Sequence, residues 1–249
     1  MCPGELPGAA ITYHELGIIA GEQRDFAAAR EWYLKSLAIY EKQGTGSYAA
    51  NTHHQLGMIA EDQRDFAAAR EWYLKSLAIW ENQRDPHHAA AAYHQLGIVS
   101  SELHDFSTAR EWYLKSLAIT EKQGDLHRAA TTYHQLGIVA QKRQDLTSAR
   151  EWYLKSLAIE EKQGNPHGAA GTYASLGILA EIQRSLEDSG RWLVRSIAAL
   201  LQTHDRREAD GQIQNFLGFY RRASRADKQK LEAIWRDAGL PPFPTEPNQ

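Results

Sequence analysis

A ten-residue string governs what this chain can fold into. REWYLKSLAI occupies residues 30–39 and returns unchanged at 70–79, 110–119 and 150–159, with a diverged copy, GRWLVRSIAA, at 190–199. The interval is forty residues every time. A fixed period of that size belongs to a repeat architecture, in which each unit packs only on its neighbours and no single central core forms. Within the string, Trp32, Tyr33, Leu37 and Ile39 put apolar character on more than one side, as a helix packed between other helices requires. Glu31 and Lys35 stand four apart in the favourable order, a pairing worth a few tenths of a kcal/mol on the wet side.

Each forty-residue unit divides into two helical patterns, A and B. Helix B opens at an N-cap aspartate (Asp25, Asp65, Asp105, Asp145), with Ser185 in that place in the fifth unit. It closes near Gly44, Gly124 and Gly164, where a residue without Cβ suits a left-handed stop, and Arg84 replaces that glycine in the second unit. Helix A follows Asp85-Pro86 and Asn165-Pro166, a cap with proline in the first turn, while Asp125 and Ser47 are the caps expected elsewhere. The chain therefore divides into an N-terminal extension 1–7, units at 8–43, 47–83, 86–123, 126–163 and 166–203, a capping helix pair at 204–240, and a proline-rich tail at 241–249 expected to be disordered. Gly17, Gly57, Gly97, Gly137 and Gly177 sit inside helix A, where each costs about 1 kcal/mol against alanine. The expected return is close approach to the bulky Trp and Tyr of helix B.

Composition narrows the function classes. The net charge of −3 and pI near 6.4 give no electrostatic reason to expect a nucleic acid. Cys2 is the only cysteine, so no intrachain disulfide can form. MCPGELPG has neither a basic n-region nor an apolar h-region, and no apolar run approaches the roughly 18–20 residues that span a bilayer. A soluble, cytoplasmic protein without membrane contact is expected. There is no GxxxxGK[ST], GxGxxG or GxSxG, so no enzyme activity or cofactor is expected.

Tyr13, Leu16, Gly17, Ala20, Phe26, Ala29, Tyr33 and Leu37 together resemble the tetratricopeptide repeat, and the likeness covers roughly residues 8–203. The unit departs from the usual one of about 34 residues and lacks the proline after helix B. It is similar to the long-repeat variety of kinesin light chains, LGN-type polarity adaptors and the sensor arms of bacterial STAND ATPases. His53 stands where the other units have tyrosine. The resemblance implies an all-α, right-handed α-solenoid of antiparallel helix pairs, and a protein- or peptide-binding scaffold. The competing reading is a sensing or regulatory arm of a larger signalling ATPase.

A second stripe of helix A, at one-face spacing, is the candidate site. It holds His14, His54, His94 and His134, then Glu15, Gln55, Gln95 and Gln135, and one turn on Ile18, Met58, Ile98 and Ile138. In the tetratricopeptide family these positions line the concave groove. Asn51, Thr131, Glu61 and Gln141 lie on the same stripe, at positions that vary most between units. Glutamine offers both donor and acceptor to an extended or helical partner. A metal site is not expected, because equivalent residues on stacked helices stand 8–10 Å apart while ligands of one zinc lie within about 2.1 Å of it. Finally, Tyr13 and Leu16 keep interior character in the first unit, so its outer edge is expected to meet a second copy, an upstream domain or a partner.

Overall fold

The computed structural model describes residues 6–203 and 206–244. Twelve α-helices and no strand occur among the described residues. The chain falls into two compact units, Met1–Asp125 and Leu126–Gln249. The first holds α1 (Leu6–Glu22), α2 (Phe26–Gln43), α3 (Gly46–Asp62), α4 (Phe66–Asn82), α5 (Pro86–Glu102) and α6 (Phe106–Gln123). The second holds α7 (Leu126–Lys142), α8 (Leu146–Lys162), α9 (Pro166–Ile182), α10 (Leu186–Gln202), α11 (Arg206–Arg222) and α12 (Arg225–Asp237). Each unit is a stack of antiparallel helix pairs, the α-solenoid class.

Each of the first four hairpins is held by a glycine on helix A facing a tyrosine on helix B. A Cβ on Gly17 would lie 2.6 Å from Cε1 of Tyr33, and one on Gly97 would lie 2.5 Å from Cε1 of Tyr113. Of the two aromatics expected to need that space, the tyrosine takes it. Tyr33, Tyr73, Tyr113 and Tyr153 are buried as a result. The tryptophans stack sideways instead, Trp32 on Tyr13 and Trp112 on Tyr93, with ring centroids 5.5 and 5.6 Å apart. His53 takes the tyrosine's place on Trp72 at 5.5 Å. A lysine lies against each tryptophan, Lys35 Nζ 4.2 Å from the Trp32 ring and Lys115 Nζ 4.5 Å from Trp112 and 5.5 Å from Tyr93, so the copied lysine is a cation–π partner as well as a surface charge.

A second tie runs from a helix-B serine to a helix-A carbonyl. Ser36 Oγ donates to Ala10 O and Ser116 Oγ to Ala90 O in the first unit, each at 2.8 Å. Ser156 Oγ and Ser196 Oγ do the same to Ala130 O and Ala170 O in the second, at 2.8 and 2.9 Å. Such a buried bond contributes about 1 kcal/mol.

Helix A turns into helix B through three residues, and the aspartate serves both. Asp25 N–H donates to Ala20 O at 2.9 Å, closing α1, while its carboxylate accepts from Ala28 N at 3.1 Å, opening α2. Asp65, Asp105 and Asp145 repeat the arrangement. The residue before each aspartate has positive φ, and none is glycine: Arg24, Arg64, His104, Gln144 and, before Ser185, Arg184. Ser185 closes the preceding helix but does not cap α10 with its side chain; its hydroxyl donates to Asp188 Oδ2 at 2.7 Å. At the return turns Gly44, Gly124 and Gly164 are left-handed as expected, and Arg84 adopts the same conformation at φ 55°. Thr45, not Ser47, precedes α3, and Ser47 Oγ donates to Gln83 Oε1 at 2.8 Å.

The ends of the repeats differ. Ile11 and Ile19 on α1 are each 48% exposed, whereas Ile59, the counterpart of Ile19 one repeat on, packs in a core with α2 and is 6% exposed. In the second unit, α10 is covered by α11 and α12 through Phe216, Leu231 and Trp235. Residues 241–244, assigned to a disordered tail from their prolines, leave the helix but pack: Phe243 lies 5.4 Å from Trp235 and 4.8 Å from Tyr220. Trp235 Nε1 donates to Pro241 O at 2.7 Å. The proline pattern concealed what one aromatic gains by burial. Residues 1–5 of the extension, 204–205 of the capping segment and 245–249 of the tail lie outside the described residues.

Two stability predictions follow from these contacts. Gly97→Ala should cost about 2–4 kcal/mol in urea unfolding, because Tyr113 cannot yield within a packed interior. Gly171→Ala, where a Cβ meets nothing within 4 Å, should be neutral or stabilise by up to about 1 kcal/mol. Equal effects would show that the close approach is not a constraint. Arg84→Gly should stabilise by about 0.5–1 kcal/mol, as relief of the left-handed penalty outweighs glycine's extra unfolded freedom.

Candidate functional site

On the candidate stripe, each histidine rests on the buried tyrosine of its own repeat. In the first unit His14–Tyr33, His54–Tyr73 and His94–Tyr113 have ring centroids 5.3, 5.2 and 5.4 Å apart; in the second, His134–Tyr153 are at 5.4 Å. Contact with the phenol strips water from the imidazole and disfavours its cation. Burial lowers the pKa of His14, against the pull of Glu15, and lowers that of His134. Burial, with His88 adding to it, takes His54 down to about 4. His14, His54 and His134 are therefore neutral polar groups at neutral pH. His14 Nδ1 lies 3.2 Å from Thr52 Oγ1, and His134 Nε2 lies 2.9 Å from Ser175 Oγ.

The tyrosine hydroxyls look for partners twelve residues back on helix A. Tyr73 Oη donates to Glu61 Oε2 at 2.8 Å, and Gln95 Nε2 stands 3.5 Å from Tyr73 Oη. Tyr153 Oη donates to Gln141 Oε1 at 3.0 Å. Tyr113 Oη is buried without a hydrogen-bond partner, because the corresponding residue, Ser101, is too short to reach it. Burial raises the pKa of all four phenols. In the first unit carboxylates add to the rise: Glu15 and Glu22 at Tyr33, Glu61 and Asp62 at Tyr73, Glu61 and Glu102 at Tyr113. In the second unit no carboxylate contributes at Tyr153, which is held at about 12. Burial also raises the Glu61 carboxyl, with the Tyr73 hydroxyl opposing and Asp62 and Glu102 reinforcing.

The remaining residues of the stripe surround these pairs. Glu15, Asn51, Met58 and Thr131 are exposed; Gln55, Gln95 and Gln135 are half-buried, as are Ile18, Ile98 and Ile138. Thr131 turns its hydroxyl to His127 O one turn back at 3.2 Å. What the sequence reading missed is the tyrosine hydroxyls, taken as part of the apolar face of helix B. A signal was present: the fifth unit loses both members together, with Ala174 for the histidine and Leu193 for the tyrosine. His53 and His54, adjacent in sequence, face Trp72 and Tyr73 respectively. Among the described residues no three His, Cys, Asp or Glu side chains converge to hold a metal ion, and no helix is long and apolar enough to cross a membrane.

Sequence models of the tetratricopeptide repeat match residues 48–122, and residues 10–42 and 129–162, together more than half of the chain. No curated protein gives a significant match. Among solved structures the chain is similar to BtubC (BKLC) from P. vanneervenii, at a TM-score of 0.67 and 18% identity over 98% of this chain and 96% of that one. It is similar to a Signal Transduction ATPase with Numerous Domains (STAND) from Pyrococcus horikoshii that has a tetratricopeptide repeat sensor, at a TM-score of 0.76 and 14% identity, over 92% of this chain and 35% of that one. A Rap protein complexed with competence and sporulation factor matches at a TM-score of 0.61 and 15% identity, over 92% of this chain and 66% of that one. Likeness at such identities shows the fold.

The histidines make stability sensitive to acid. His53 is taken down to about 4 by burial and by Lys75, and His54 by burial and by His88. A depressed pKa contributes stability that is complete above about 6.5 and lost as pH falls through about 4. Glu61 and Glu160, with raised carboxyls, work in the opposite sense and are common to wild type and variants. The urea midpoint should therefore fall between pH 6.5 and 4, and fall less in His53→Tyr, which installs the tyrosine used by the other repeats. Parallel pH profiles for the two proteins would refute the assignment.

Proposed function

Because the chain belongs to the tetratricopeptide repeat family, we propose that it is a protein-binding scaffold whose helix-A stripe receives a peptide segment of a partner. The observation that carries this reading is that each unit sets histidines on buried tyrosines beside half-buried glutamines and an exposed aliphatic side chain, Met58 at 40% exposure in the first and Ile178 at 50% in the second. Neutral imidazole and carboxamide each offer a donor and an acceptor, which suits a peptide backbone. Exposed aliphatics add area that gains from burial. The Rap protein complexed with competence and sporulation factor supports a ligand on this fold. The chain acts by binding, without catalysis, in the cytoplasm, and the exposed edge of α1 at Ile11 and Ile19 is a second surface for a stacking neighbour. A second reading, favoured by the 0.76 TM-score to the STAND protein, is a sensor arm of a signalling ATPase. A nucleotide-binding domain encoded upstream of Met1 would decide for it.

Panning a displayed library of random peptides against the full chain tests the scaffold reading. Replacing Gln55, Gln95 and Gln135 by alanine together should weaken the selected peptides about tenfold or more. The melting curve should move little, as surface substitutions stay within about 0.5 kcal/mol each. Peptide binding that survives the triple change would remove the helix-A stripe from the proposal.

A further inference from the structure

Between α8, α9 and α10 of the second unit lies a cavity of about 230 Å³. The buried Leu176 and Leu179 form its floor, and its charged residues are Arg150, Asp188, Arg191 and Arg195. The first unit has a cavity at the equivalent place between α2, α3 and α4, over Leu56 and Ile59, but there the charged residues are Arg30, Glu31 and Asp65. One cavity carries a single negative charge in excess and the other two positive charges.

The difference arises in the fifth repeat. Asp65, which caps α4, has Ser185 as its counterpart before α10, so Arg150 shares its cavity with no capping carboxylate. Glu31 and its copies Glu71, Glu111 and Glu151 give way to Arg191, and the lysine four residues on gives way to Arg195. An attractive pair one helical turn apart is thereby replaced by two guanidinium groups that repel. Little within the unit answers them. Arg191 Nη2 donates to Glu187 Oε1 at 2.6 Å, an exposed pair with a glutamate outside the cavity, which leaves its remaining N–H groups to other partners. Asp188 accepts from the Ser185 hydroxyl at 2.7 Å. Arg195 lies over the Trp192 ring, 5.0 Å from its centroid, a contact that holds the guanidinium in place without using its N–H groups. Among the described residues neither Arg150 nor Arg195 forms an ion pair.

A phosphate group matches this arrangement. Guanidinium groups meet phosphate oxygens with paired, parallel N–H donors. Three arginines against one aspartate balance the charge of about −2 on a phosphate monoester, where a carboxylate supplies half as much. The volume of about 230 Å³ falls below the roughly 300–1,000 Å³ that encloses a whole organic ligand, so the cavity takes an end group and leaves the rest of the molecule outside. We infer that this cavity receives the phosphate of a phosphorylated side chain on a partner protein. The site is separate from the helix-A stripe and does not rest on it.

The test uses the full chain and degenerate peptides centred on phosphoserine, phosphothreonine or phosphotyrosine, with unphosphorylated and glutamate-centred counterparts. At least one phosphorylated set should bind about tenfold tighter or more than both counterparts. Arg191→Glu, which restores the residue of the other repeats, combined with Arg150→Gln should remove that advantage. Both positions are exposed, so the melting curve should move little. Arg30→Gln, in the acidic cavity of the first unit, should leave the advantage unchanged, and so should the triple glutamine variant of helix A. Peptides indifferent to phosphorylation, or a preference that survives the double arginine change, would overturn the inference. So would a preference lost in Arg30→Gln or in the triple glutamine variant, which would place the phosphate elsewhere. Phenyl phosphate binding as tightly as any phosphopeptide, or binding of phosphatidic acid vesicles alone, would overturn the assignment to a partner protein.

Discussion

In the first four hairpins the packing depends on one missing methyl group. Gly17 and its counterparts let a tyrosine ring lie against the backbone of helix A at a distance no side chain would permit. Glycine within a helix is destabilising by about 1 kcal/mol, so the placement is sustained by the aromatic area it buries. From this contact come the position of the phenol hydroxyl, the seat of the histidine above it, and the displacement of tryptophan to the flank. In the fifth unit leucine replaces the ring, and a Cβ on Gly177 would stand 3.0 Å from Leu193 Cγ, still within a close approach.

The hairpin turns share this economy of parts. One aspartate closes a helix with its amide and opens the next with its carboxylate, so that only three residues stand between helices. The cost is a left-handed residue, and the chain accepts arginine, histidine or glutamine there although glycine fits better. Because four helix-end groups are satisfied by so short a link, the angle between A and B has little freedom.

How much of this was legible depended on whether the letters could carry it. The forty-residue period, the paired helices and the helix-interior glycines are matters of spacing, and spacing survives in a sequence. The left-handed Arg24 and Arg64 were not legible, since no glycine marks them; only the hydrogen bonds that close the helix reveal the conformation. Tyr33 reads as an apolar letter between Trp32 and Leu34, so its hydroxyl was overlooked, and no pattern in the letters marks Ser36, which ties two helices. Phe243 was hidden by flanking prolines. For the candidate stripe, the sequence could say which residues share a helix face. It could not say that the histidines there rest on phenols and lose their basicity, because that depends on the neighbouring helix.

The serine tie has a mechanical consequence. Ser36 to Ala10 sits one turn of helix B from Tyr33, so two fixed points along each hairpin prevent helix B from sliding or rolling on helix A. Hairpins so pinned behave as rigid levers, and elastic deformation within each unit gathers at the joints between them. The second repeat keeps only the Gly57–Tyr73 contact, because Ser76 Oγ is buried with no partner, and the fifth keeps only the serine tie, because Leu193 stands for the tyrosine.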